Sequence, residues 1–88
     1  MSAETTAQRV IRVIAKDKKL PPEQLTPETK FEDLMMDSLD ALNMIFALEE
    51  EFDISVPNAD AVKMRSVGDA IAGVEQLLAQ KASETSPT

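Results

Sequence analysis

The 88-residue sequence contains no cysteine, histidine, tryptophan or tyrosine, and only two glycines. Without thiol or imidazole the chain has no thiolate nucleophile, no imidazole base and no Cys/His zinc pattern. No apolar run approaches the roughly 18 to 20 residues that a membrane span needs. The longest, from Leu39 to Leu48, is broken by Asp40 and Asn43. Arg9 and Arg12 interrupt the apolar cluster Val10, Ile11, Val13 and Ile14, so the N-terminus does not read as a secretory signal and a cytoplasmic location is expected. Basic residues are missing from a whole third of the chain. Residues 31–62 hold nine acids and no base, residues 1–30 six bases and four acids, and residues 63–88 three of each. The net charge of −7 therefore resides entirely in the middle third. Such a chain lacks the lysine and arginine footprint of a nucleic-acid binder, and no nucleic-acid partner is expected.

What is present is helical periodicity on the scale of one small domain. Ala7, Val10, Ile11 and Ile14 form an amphipathic stripe with Thr5 or Thr6 as cap and Lys16 to Lys19 at the end, which predicts a first helix. Pro21, Pro22 and Pro27 then exclude a regular helix, while Leu20, Leu25, Phe31 and Leu34 recur as anchors of a long ordered loop. Asp37 reads as the N-cap of a helix running to about Phe52, with Asp40 completing a capping-box-like pair. On that helix Ala41, Met44, Ile45, Leu48 and Phe52 share an apolar face, and Asp40, Asn43, Ala47, Glu50 and Glu51 a polar one. Leu39, Leu42 and Phe46 lie between the faces. Val56-Pro57-Asn58 starts a short third helix to about Met64, in which Ala61, Val62 and Met64 are placed to reach the core. Ser66 and Asp69 cap a last helix carrying Val67, Ala70, Ile71, Val74, Leu77 and Leu78, with Gly73 inside it at a cost of about 1 kcal/mol relative to alanine. The expected organisation is a helical domain over residues 1–79 and a frayed polar tail over residues 80–88.

Only carboxylates and lysines remain as catalytic candidates. The acids read as a solvated face rather than as paired general acid and base. Residues 33–60 contain no glycine and lack the alternating spacing of a calcium loop, so no defined metal site is expected and any divalent binding along the acidic helix would be diffuse. Ser38 stands apart. It falls in the first turn of a helix, where free N–H groups and the dipole favour a phosphate, although Asp37 and Asp40 partly offset that benefit.

Asp37-Ser38-Leu39-Asp40, preceded by Phe31-Glu32-Asp33-Leu34 and followed by Ala47-Leu48-Glu49-Glu50-Glu51-Phe52, Val56-Pro57 and Ser66-Val67, resembles the acyl carrier proteins of fatty acid and polyketide synthesis from about Thr5 to Leu78. The resemblance implies an all-α bundle of three to four helices with a long first loop, and 4'-phosphopantetheine attached at Ser38 as covalent cofactor. It implies a magnesium-dependent phosphopantetheinyl transferase that moves the group from coenzyme A, the serine oxygen attacking phosphorus. It also implies acyl groups held as thioesters, which suits a chain with no sulfur nucleophile of its own, and catalysis supplied by partner enzymes rather than by the chain. The partner surface carried over is Asp37, Leu39, Asp40, Phe46, Glu49 and Glu50, facing the basic docking patches of acyl-loading, ketosynthase and other acyl-processing enzymes. Leu39 is expected to be exposed, whereas periodicity leaves Phe46 open between exposure and core. The inner face of the Ser38 helix with Val62, Val67 and Ile71 would line either an acyl cleft or a closed core. A monomer is expected.

The sequence departs from the family pattern at several points. Met35-Met36 stands where a small pair such as Gly-Ala is usual, Asn43 replaces an acid, and Ala59 and Val62 replace acids of the third helix. These departures point to a dedicated carrier for a specialised fatty acid, polyketide or lipid pathway. Two other readings fit the same residues: an unmodified acidic helical interaction module, and a peptidyl or aminoacyl carrier.

Overall fold

A computed structural model describes residues 5–84. Those residues form four helices, α1 (Thr6–Lys18), α2 (Ser38–Phe52), α3 (Asn58–Ala61) and α4 (Val67–Glu84). Among the described residues there is no strand, only an isolated antiparallel bridge between Lys30 and Ser66. No helix among them is long and apolar enough to cross a membrane. The all-α bundle expected from the sequence is thus the observed architecture.

Each long helix begins on a side-chain cap. Thr5 accepts from the Gln8 N–H at 3.1 Å and the Gln8 side chain accepts from the Thr5 N–H at 2.8 Å, a reciprocal pair that closes the start of α1. At α2 only half of that arrangement forms. The Asp40 N–H donates to the Asp37 carboxylate at 2.8 Å, but the Asp40 carboxylate accepts from Lys18 Nζ at 3.1 Å instead of turning back to Asp37. Aspartate is one methylene shorter than the Glu or Gln of a capping box, so the expected pairing through Asp40 is corrected to a bridge between helices. Asp69 behaves alike, its N–H donating to Ser66 Oγ while its carboxylate accepts from the Arg65 N–H.

The loop from Leu20 to Met36 is held rather than free. Leu25 and Phe31 are buried, and Leu20 and Leu34 pack against the same core. Two single 3₁₀ turns, Pro22–Gln24 and Phe31–Leu34, punctuate it. The Phe31 N–H donates to Arg65 O, the Val67 N–H to Thr29 O and the Gly68 N–H to Pro27 O, all within 2.9 Å, which straps the loop across the entry to α4. A Cβ on Gly68 would lie 2.8 Å from Pro27 O, so glycine is what permits this approach.

The core gathers Val10 and Ile14 of α1, Met44, Leu48 and Phe52 of α2, and Val67 and Val74 of α4, with α1 packed on both other long helices. α3 contributes less. The Lys63 and Met64 N–H groups close i to i+3 bonds onto Asp60 and Ala61, so Ala61 and Met64 eclipse on one side and Val62 points away. Val62 is 70% exposed, which corrects its expected place in the core. α4 continues through Glu84, past the expected boundary at residue 79, and the remaining tail from residue 85 lies outside the described residues.

Candidate functional site

The entrance to α2 is built by a turn that runs against residue preference. Met35 closes the 3₁₀ turn in the left-handed region at φ 57°, where glycine is the usual occupant, and its side chain is 86% exposed. The Met36 N–H donates to Phe31 O at 3.2 Å, and Asp37 then takes an extended conformation as N-cap. This delivers Ser38 as the first residue of a 15-residue helix. Ser38 is exposed, and its hydroxyl makes no hydrogen bond to another described residue. The N–H groups of Ser38 and Leu39 likewise have no partner among the described residues. An uncommitted hydroxyl beside uncommitted N–H groups at the positive end of a helix is chemically suited to carry and solvate a phosphodiester.

Downstream, the solvent face of α2 is apolar in the middle and acidic along its borders. Leu39 is 66% exposed, Phe46 56% and Leu42 49%, so Phe46 is a surface residue. Their i, i+3, i+7 spacing makes one ridge leading away from Ser38. Leu42 belongs to that ridge although the sequence reading gave it no role; the same spacing was the available signal. Of the flanking acids, Asp37 and Glu50 are exposed, but Asp40 is bridged to Lys18 and Glu49 accepts from the Val56 N–H at 2.7 Å. With Asp37 capping α2 through the Asp40 N–H, three of the six expected docking residues therefore also do structural work.

The acidic third is not electrostatically isolated. Glu51 accepts from Arg9 Nε at 2.9 Å and from Arg12 at 3.0 Å, while Arg9 also donates to Glu51 O and sits 4.4 Å from the centre of the Phe52 ring. The hydrogen bond from Arg9 holds the Glu51 carboxyl below its ordinary range, aided by the charges of Arg9 and Arg12 and opposed by partial burial. Lys18 meets the start of α2 and Arg9 its end, so α1 lies antiparallel to α2 and lays its cations along it.

An open cleft of about 540 Å³ lies beside the α2 entrance, lined by Phe31, Met36, Ala41, Met64 and Ser66 together with the charged Lys30, Glu32, Arg65 and Asp69. Its lining differs from the expected one. Val67 and Ile71 are buried in the core and Val62 faces solvent, because α4 turns those two inward and α3 ends before Val62 can follow.

The sequence pattern of the phosphopantetheine attachment site family matches residues 8–74. A Schizosaccharomyces pombe protein named "Putative acyl carrier protein, mitochondrial" is 46% identical over 66 residues, which are 73% of this chain and 59% of that relative.

Proposed function

Because the chain belongs to the phosphopantetheine attachment site family, the family of the acyl carrier proteins, we propose that it carries acyl groups on a 4'-phosphopantetheine arm at Ser38 and presents them to acyl-processing enzymes of fatty acid, polyketide or specialised lipid biosynthesis. The supporting observation is Ser38 itself, exposed at the first position of α2, inside the matched residues, with its hydroxyl and adjacent N–H groups uncommitted among the described residues. The residues present fit the group. When bound, it supplies the terminal thiol that this cysteine-free chain lacks. Ser38 Oγ would hold it, and the N–H groups of Ser38 and Leu39 would be available to its phosphate. Asp37 keeps the helix start fixed through the Asp40 N–H. No residue of the chain is assigned a catalytic role; phosphopantetheinyl transferase and the acyl-processing partners supply the bases.

Partner recognition is assigned to Asp37, Leu39, Asp40, Phe46, Glu49 and Glu50, with Leu42 completing the apolar ridge. Acids bordering that ridge steer a basic patch onto it and make the encounter salt-sensitive. Glu50 is the acid of the set most free to do so, since Asp37, Asp40 and Glu49 are already engaged. The chain spans 59% of the relative's length, and the cytoplasmic location read from the sequence stands beside the mitochondrial one in that relative's name; cell fractionation separates them.

The test is to incubate the apo protein with coenzyme A and a broad-specificity transferase and to measure intact mass. One phosphopantetheine is expected on the native chain and none on Ser38→Ala. A native chain that gains no mass would overturn the assignment and favour an unmodified interaction module, and a Ser38→Ala chain that still gains it would overturn Ser38 as the attachment point. The loaded group read by mass on protein from its native cell separates an acyl from a peptidyl carrier.

A further inference from the structure

Met35 is the methionine left in water. Of the five methionines of the chain, Met44 and Met64 are buried and Met36 packs against the core, whereas Met35 is 86% exposed. Met1 lies outside the described residues. Oxidation of a thioether follows its exposure, so Met35 is the first of the other four that a small oxidant reaches. It also stands three residues before Ser38 and in the left-handed region, at φ 57°, a conformation whose cost is not repaid by burial. Backbone strain of this kind collects at functional sites. Three residues of chain span at most about 11 Å, whereas a partner face of about 800 Å² is a disc about 16 Å in radius. An enzyme that centres such a face on Ser38 therefore covers Met35 as well.

We propose that Met35 is a reversible oxidation site, and that its conversion to the sulfoxide by a hydroperoxide slows the loading of Ser38. The inference rests on the carrier reading and adds a control to it. In the modifying step the Met35 sulfur attacks one oxygen of the peroxide, the O–O bond breaks and an S–O bond forms. The other oxygen leaves with both protons as water, so sulfur is oxidised by two electrons and the peroxide is reduced by two. A dithiol-dependent sulfoxide reductase reverses the change, releasing the oxygen as water and closing a disulfide on the reductase. The thioether is apolar and adaptable, and the sulfoxide is polar and chiral. A face that closes over residue 35 must then strip water from an oxygen that it has no donor placed to meet. The fold itself loses little, because a side chain 86% exposed is hydrated in either form. The effect thus falls on encounters at Ser38 and not on stability. Met44 and Met64 are the opposite case: their sulfurs are buried, and oxidation there would disrupt the core.

The experiment treats the full apo chain and its Met35→Leu and Met35→Gln variants with hydrogen peroxide, removes the peroxide, and adds coenzyme A and a broad-specificity transferase. Peptide mass mapping places each added oxygen and reads Met1 separately. Intact mass follows the initial rate of loading, each protein being compared with its own untreated sample, and the thermal midpoint checks that the fold is unchanged. Met35 should take up oxygen before Met36, and both before Met44 and Met64. Native protein oxidised at Met35 should load about fivefold more slowly or worse, with its midpoint unchanged, and a methionine sulfoxide reductase with dithiothreitol should restore the rate. Peroxide should leave the rates of Met35→Leu and Met35→Gln where they were. Uptake at Met36, Met44 or Met64 as fast as at Met35 overturns the site. An unaltered loading rate on protein oxidised at Met35, or an equal slowing in Met35→Leu, overturns its effect, and either result leaves the carrier reading intact. An untreated native chain that takes no phosphopantetheine overturns both.

Discussion

Met35 is the residue whose conformation is least suited to its chemistry. A β-carbon in the left-handed region costs about 1–2 kcal/mol, and at 86% exposure the side chain recovers little by burial. Glycine would adopt φ 57° without that cost but would add about 0.5–1 kcal/mol of backbone entropy to the unfolded chain. Met35→Gly should therefore be neutral to about 1 kcal/mol stabilising, and Met35→Val clearly destabilising, as measured by urea midpoints. A Met35→Gly protein that loses more than about 1 kcal/mol would show that the methionine makes a contact worth more than its strain. The sequence signalled an oddity here, two methionines where small residues are usual, but not its physical form. Backbone handedness at residue 35 is set by how the Phe31–Leu34 turn must hand over to α2, and no local pattern carries that. Gly73 shows the same limit: its helix penalty was readable from sequence, its partner Met64 was not, because the contact spans two elements.

Helix identities were legible because caps and stripes are local. Thr5, Asp37 and Ser66 each accept the N–H of the residue three positions on, and the buried faces follow 3.6-residue periodicity. What periodicity could not supply was which charges would meet across helices. The antiparallel docking of α1 on α2 turns Glu51 from a presumed solvent acid into the centre of a cluster with Arg9, Arg12 and the Phe52 ring. Because its carboxyl is held below the ordinary value of 4.5, Glu51 stabilises the fold fully above that value, and the contribution is lost as pH falls through the lowered folded value. Glu51→Gln should remove this dependence. The gap in urea midpoint between native protein and variant should be largest near neutral pH and should close on acidification below about pH 4.5. A gap that stays constant down to strongly acidic pH would mean that packing of the side chain, and not its charge, joins the two helices.

Over the whole molecule, the charge that read in sequence as nine uncompensated acids is partly answered in three dimensions. α1 brings Arg9, Arg12 and Lys18 to Glu51 and Asp40, and Lys81 of α4 reaches Asp53. Screening therefore acts in two directions: it weakens these attractive pairs, and it weakens the repulsion within a molecule of net charge −7 and 13.0 Å radius of gyration. The pairs are all at least partly exposed, and pairs of that kind contribute about 0–1 kcal/mol each. The repulsion acts across the whole body, at separations beyond the Debye length of about 8 Å reached at 0.15 M salt. Repulsion should win, so moving from low to moderate salt should raise the melting temperature by several degrees, given that about 1 kcal/mol corresponds to about 4–8 °C in a domain of this size. The described residues contain no group of three or more acidic side chains arranged to hold a metal ion. Where screening alone acts, magnesium and sodium chlorides matched in ionic strength should give the same gain. A falling midpoint with salt would mean that the α1–α2 ion pairs outweigh the net charge, and an excess gain in magnesium would place a bound cation on the acidic face of α2.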